Sequence, residues 1–208
     1  MRFDAVIFDF DGTLVASAES KYEAFFRIFP DTPQHREVIA AVLKDDPDGS
    51  RHVVIPRMVG ALGRLGLIES SREESMRRVE RYADAVFDIV SRCDELPGAT
   101  DILVELKQSG VPVYISSNTP QESIEKLVQA RKWDSLVRMA YGYPAAKAQT
   151  ARAILDELGI EGSKLAVVGD GVSDRESAAE VGAIFFPIDQ PLDLSKHAMS
   201  WGLLNVGS

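Results

Sequence analysis

The stretch Ala5-Val6-Ile7-Phe8-Asp9-Phe10-Asp11-Gly12-Thr13 runs four apolar residues straight into two carboxylates one residue apart, then a glycine. A short unbroken apolar run predicts a strand buried on both faces, as in a parallel sheet covered by helices. Open α/β sheets place their ligands at the carboxyl ends of such strands. Two carboxylates that close raise each other's pKa unless a cation or a proton sits between them. An acidic loop after a strand would show the same residues, so the rest of the chain has to decide.

The chain has 208 residues, with 45% hydrophobic and 26% charged side chains, an ordinary globular composition. The formal net charge of −9 argues against nucleic acid as a partner, because that binding rests on a basic footprint. It leaves room for an anionic substrate where a metal or local cations reverse the field. Cys93 is the only cysteine, so no intrachain disulfide forms. The opening residues do not read as a signal peptide or anchor, and no apolar run approaches the ~20 residues of a membrane span. The expectation is a cytoplasmic protein without membrane or nucleic-acid partners, monomeric or homodimeric.

From about Val15 to Glu95 the patterning is helical throughout. Tyr22, Phe25, Phe26 and Phe29 form a stripe ended by Pro30, and a second helix is expected near Arg36 to Leu43. The turn Asp45-Asp46-Pro47-Asp48-Gly49 has too few correctly spaced oxygens for a calcium loop, since Ile55 stands where the bidentate glutamate belongs. A third helix runs from Ser50 towards Leu67, with Pro56 expected to kink it or delay its start. The fourth opens on a Ser71–Glu74 capping box and carries Met76, Val79, Ala83, Val86 and Val90 on one face. Such stripes need one another, which predicts a small helical bundle inserted into the sheet domain.

Beyond Leu96-Pro97-Gly98 the alternation of strand and helix resumes. Ile102, Leu103 and Leu106 mark a helix closed by Gly110. Val111–Ile115 reads as a strand ending in Ser116-Ser117-Asn118, and Thr119, Pro120 and Glu122 read as the N-cap, first turn and capping box of the next helix. Val137–Tyr141 reads as a short strand. Lys147 opens a helix closed by Gly159, on the side of the helix dipole that disfavours a cation unless carboxylates lie opposite. Leu165–Val168 is a buried strand ending in Gly169-Asp170-Gly171-Val172-Ser173-Asp174, and Ala183–Pro187 is a fifth. The tail from Asp189 carries no functional signal. In a parallel sheet these ends share one edge, gathering Asp9, Asp11, Ser117, Lys147, Asp170 and Asp174. Hard carboxylate oxygens without His or Cys suit Mg²⁺.

The four motifs in this order resemble the haloacid dehalogenase-like hydrolase superfamily, in its phosphatase branch with a helical cap of the C1 type inserted after the first motif. The resemblance covers roughly residues 1–15 and 97–188. It implies an α/β fold: a Rossmann-like, doubly wound parallel sheet formed by 1–15 and 97–208, with 16–96 as the cap. It also implies Mg²⁺-dependent hydrolysis of a small phosphorylated metabolite. Asp9 would be the nucleophile and Asp11 the acid and base, with its main-chain carbonyl on the metal. Ser117 and Asn118 would bind phosphate, with Ser116 the register alternative to Ser117. Lys147 would neutralise the phosphate and restrain the carboxylates, Asp170 would ligate the metal, and Asp174 would hold metal-bound water or Lys147. Asp11 argues against carbon–halogen and carbon–phosphorus cleavage, whose relatives lack an acid there.

The alternatives are a β-phosphoglucomutase-like sugar phosphomutase, disfavoured because Lys21 stands where such mutases carry a cap histidine, and a non-catalytic regulatory protein of the same fold. Ala148 and Ala16 depart from the proline and acidic residue common in relatives. Lys21, Arg51 and Arg57 are candidate substrate contacts from the cap, weighed against ordinary surface charge. His35, His52 and His197 are expected at the surface, without a metal role. Val15–Ala18 and Asp94–Gly98 are expected to act as hinges.

Overall fold

A computed structural model describes residues 3–46 and 49–202. Strand β1 (Ala5–Phe8) is followed by four helices, α1 (Ala18–Arg27), α2 (Pro33–Asp45), α3 (Arg51–Arg64) and α4 (Arg72–Val90). Strands and helices then alternate: α5 (Ala99–Gln108), β2 (Val113–Pro120), α6 (Gln121–Ala130), β3 (Met139–Tyr143), α7 (Lys147–Leu158), β4 (Leu165–Gly169), α8 (Val172–Val181), β5 (Ile184–Pro187) and α9 (Asp193–Ser200). The chain divides into two compact units, Met1–Ser17 with Cys93–Ser208, and Ala18–Arg92.

The first unit is built on a five-stranded parallel sheet in the order β3-β2-β1-β4-β5. The apolar runs are strands because both faces are covered. Ala5, Ile7, Tyr114, Leu165 and Val167 pack on Ala151 and Ile154 of α7 and Ala178 of α8. The alternate residues Val6, Phe8, Val113, Ile115, Ala166 and Val168 point the other way and are equally buried. Connections run outward from β1 to β2 and β3, then resume on its other side with β4 and β5. The strand order therefore reverses beside β1, the place where ligands enter such sheets.

The tail has a structural use. Helix α9 packs against α5, with Ser195 Oγ donating to the Pro97 carbonyl at 3.1 Å. Phe3, Phe186 and Trp201 meet edge-on, with centroids 4.9–5.4 Å apart. His197 is half-buried rather than at the surface, its Nε2 2.8 Å from the Pro187 carbonyl oxygen.

In the second unit α1 packs on α4, and α3 on α2 and α4. Its apolar faces differ from the expected ones in two places. Helix α4 buries Arg78, Tyr82, Val86 and Val90, whereas Met76 is 56% exposed. Arg78 can be buried because its charge is met: Nε donates to Glu74 Oε1 at 2.6 Å, Nη1 to the Ile28 carbonyl, and the guanidinium lies over the Phe29 ring. A stripe drawn from apolar residues alone misses such a side chain. His35 is also buried, its Nδ1 2.7 Å from Thr32 Oγ1, instead of lying at the surface. Helix α3 begins at Arg51 and passes through Pro56, so its start is not delayed. Arg57 pairs with Asp45 and with Asp46, the latter at 3.2 Å, as an exposed charge holding the turn. Pro47 and Asp48 of that turn lie outside the described residues.

Candidate active site

Register aligns the chemistry. Phe8 pairs with Ile115 of β2 and with Val168 of β4, so Asp9, Ser116 and Gly169 are the next residues on three adjacent strands. Asp9 N–H donates to the Val168 carbonyl at 2.9 Å, which extends the ladder by one residue to the first aspartate. The chain then turns sharply: Leu14 and Val15 N–H both donate to the Phe10 carbonyl at 3.0 Å, and Gly12 N–H to Val15 at 2.8 Å. Gly12 sits at φ +79°, and a Cβ there would stand 2.0 Å from Asp170 Oδ2. The glycine thus lets the loop after β1 close onto the acid after β4. Gly12→Ala combines left-handed strain of about 1–2 kcal/mol with displacement of Asp170. It is expected to lower the melting temperature by several degrees, readable by calorimetry.

Lys147 opens α7 and is buried between two carboxylates, its Nζ 3.1 Å from Asp9 Oδ1 and 2.7 Å from Asp174 Oδ1. Burial opposes its charge, but Asp9 and Asp174 outweigh that and raise its pKa. Asp174 lies in the first turn of α8, where its Oδ2 also accepts from Gly171 N–H at 3.2 Å. Asp9 is 8% exposed. Burial pushes its carboxyl up to about 7; Lys147 pulls it down, while Asp174 and Asp11 add to the rise. Asp170 is exposed, accepts from Thr13 Oγ1 at 3.4 Å, and is also raised, chiefly by desolvation. Carboxylate oxygens of Asp9, Asp170 and Asp174 all lie within 4.8 Å of one another.

The Asp11 carboxylate is oriented differently, towards hydroxyls. Ser17 Oγ donates to its Oδ1 at 2.6 Å, Thr119 Oγ1 to its Oδ2 at 2.9 Å, and Ser117 Oγ reaches 3.5 Å. Thr119 is therefore not the N-cap expected of it. Strand β2 runs on to Pro120, which caps α6 without a side-chain bond, and its pairing with β3 shifts register between Ser116 and Pro120. The extended backbone turns the Thr119 hydroxyl into the site. Ser117 is buried, with its Oγ accepting from Thr119 N–H at 3.1 Å, and Asn118 is exposed. Ser116, also buried, precedes Ser117 on β2 and so points to the other face. Lys21 lies half-buried on α1. Arg51 begins α3, where its Nε is 3.4 Å from His52 Nε2. Both belong to the second unit. Thr13, Ser17 and Thr119 are the site residues that sequence reasoning missed.

A strand-end cluster of carboxylates around one buried lysine, at the reversal point of a parallel sheet, defines an α/β enzyme class suited to anionic substrates. A model of the haloacid dehalogenase-like hydrolase family matches residues 3–182, and the chain belongs to that family. Among curated relatives, a phosphoglycolate phosphatase of Rhodospirillum rubrum is 27% identical over 185 residues, which is 86% of this chain and 76% of that protein. Among solved structures, a Haemophilus somnus protein assigned as a phosphoglycolate phosphatase superposes with a TM-score of 0.69 at 20% identity, covering 94% of this chain and 92% of its own. A Thermotoga maritima protein assigned as a β-phosphoglucomutase gives 0.68 at 19% identity, covering 95% and 99%. These structures share the fold. No described helix is long and apolar enough to cross a membrane.

Proposed function

We propose that this chain is a Mg²⁺-dependent phosphatase that hydrolyses a small phosphorylated metabolite through an aspartyl-phosphate. The observation that carries the reading is the division of labour between two carboxylates on either side of Phe10. Asp9 is buried against Lys147, while Asp11 is held by hydroxyls. In this reading an Asp9 oxygen forms a bond to phosphorus as the bond to the ester oxygen breaks, and Asp11 gives that oxygen its proton. Asp11 then takes a proton from the water that attacks the acyl phosphate, which releases phosphate and restores Asp9. Ser117, Asn118 and Lys147 bind the phosphoryl oxygens. Asp174 holds Lys147 in place.

The residues fit a magnesium ion. Their donors are hard oxygens, and oxygens of Asp9, Asp170 and Asp174 can converge, while the Lys147 ammonium pairs with only two of these carboxylates. Asp9, Asp170 and the main-chain carbonyl of Asp11 would hold the ion, with Asp174 behind them. When bound, it supplies the positive charge that lets an anionic nucleophile meet an anionic ester. Magnesium at about 100 times its Kd stabilises the folded chain by about 2.7 kcal/mol, a rise of roughly 5–10 °C in melting temperature for this size. Asp170→Asn is expected to remove most of that rise; an undiminished rise would place the ion elsewhere.

The helices of 16–96, which interrupt the sheet unit after its first motif, are read as the cap that selects substrate, with Lys21 and Arg51 as candidate contacts. A screen of phosphorylated metabolites, phosphoglycolate included, for magnesium-dependent phosphate release tests the function. No release from any ester, p-nitrophenyl phosphate included, would leave the non-catalytic reading standing. The mutase reading predicts instead the interconversion of hexose phosphates without free phosphate.

A further inference from the structure

We propose that Arg131 is a positioning residue for Asp11 in the loop after β1, acting through a polar network with Glu95, Thr100 and Trp133. Arg131 follows α6, and its side chain is 8% exposed. Its Nη2 donates to the Cys93 carbonyl at 2.7 Å, and its Nη1 stands 3.9 Å from Glu95 Oε1. Thr100 Oγ1 donates to Glu95 Oε2 at 2.5 Å and accepts from Trp133 Nε1 at 2.9 Å. The guanidinium lies 5.6 Å from the Trp133 ring centre, which closes the circuit.

Two lines run from this network to the proposed catalytic loop. Along the backbone, the segment it grips pairs with the residues after Gly12. Ala16 N–H donates to Asp94 at 3.0 Å and Leu96 N–H to Leu14 at 2.9 Å, while Val15 bridges Glu95. Ser17, next in line, holds the Asp11 carboxylate. Through side chains, Trp133 packs edge-on against Phe10, the residue between the two aspartates, with centroids 6.0 Å apart. An apolar side chain would bury the end of α6 at less cost than a desolvated guanidinium. What the arginine adds is direction: a planar fork fixes a carbonyl and a carboxylate at set angles, which packing alone does not. Arg131 is given no contact with substrate in this role.

The inference rests on the phosphatase reading, and its test separates the two. Arg131→Met and the milder Thr100→Val are compared with wild type on p-nitrophenyl phosphate, whose leaving group needs no proton, and on the alkyl phosphate that wild type cleaves fastest. A loop held off its geometry by Arg131→Met costs the acid step most, so kcat on the alkyl ester falls about tenfold, while p-nitrophenyl phosphate loses less than about threefold and KM stays within about twofold. Thr100→Val shows the same pattern at about threefold on the alkyl ester. A lower melting temperature with equal losses on both substrates, or no loss, overturns the positioning role. If Arg131→Met does not fold, Thr100→Val decides on the same criteria. Wild type inert on both esters overturns the phosphatase reading, and this role falls with it.

Discussion

Asp9→Asn is expected to abolish phosphate release, by about 10³-fold or more, with the fold retained. Asparagine has nearly the same shape and keeps an oxygen to accept from Lys147, so the 3.1 Å contact has a replacement. It lacks the anionic oxygen that can displace an ester from phosphorus. Single-turnover assays with labelled ester decide the point, because only the aspartate can trap an acid-stable phosphoryl adduct. Full activity in the variant would overturn Asp9 as nucleophile and leave it as a metal ligand alone.

The same substitution has a stability consequence of opposite sign. Burial raises the Asp9 carboxyl to about 7 from 3.8, so without metal the folded chain binds a proton between those values that the unfolded chain has lost. Stability of the metal-free protein therefore falls as pH rises through that window, by roughly 4 kcal/mol. Asp9→Asn removes the titrating group. Its melting temperature at about pH 8 without metal is expected to equal or exceed that of wild type, and to fall less with pH across the window. A variant that melts lower at high pH and higher at low pH would reverse the argument.

How much of this was legible in the sequence follows from where the forces act. The apolar runs of β1 and β4 predict buried parallel strands because nothing but burial on both faces sustains them. Lys147 was legible through its awkwardness: a cation in a first helical turn needs carboxylates opposite, and Asp9 and Asp174 stand there. Thr119 was not legible. A threonine before Pro120 and Glu122 carries the same letters whether it caps a helix or ends a strand. The choice falls to β2, whose pairing with β3 resumes at Pro120 after a register shift. Ser17 and Thr13 find their partners only when the loop folds back over Gly12, a matter of φ angle rather than residue pattern. Arg78 and His35 are buried by contacts that periodicity does not count. A substrate contact by Lys21 or Arg51 is not something that a local pattern encodes.

Lys147→Met is the second large effect, and it is expected in stability as well as rate. The lysine, Asp9 and Asp174 side chains are 6%, 11% and 2% exposed, so removing the ammonium leaves buried carboxylates without their cation. Breaking a buried ion pair on one side costs about 3–5 kcal/mol, or roughly 10 °C in melting temperature for a chain of this size. The wild-type contribution, with the Lys147 pKa raised above 10.5, is fully present below that value and is lost as pH rises through the raised one. In the variant the penalty falls on ionised Asp9, whose carboxyl rises still further once its neutralising partner is gone. The gap between variant and wild type is therefore expected to narrow as pH falls from about 8 towards 4, because a protonated Asp9 no longer needs the lysine. Turnover is expected to fall by about 10²-fold or more, since methionine fills the space but offers the phosphoryl oxygens no charge. A gap that stays constant with pH would mean that Lys147 is held by packing rather than by Asp9, and would remove the electrostatic ground for its place in the site.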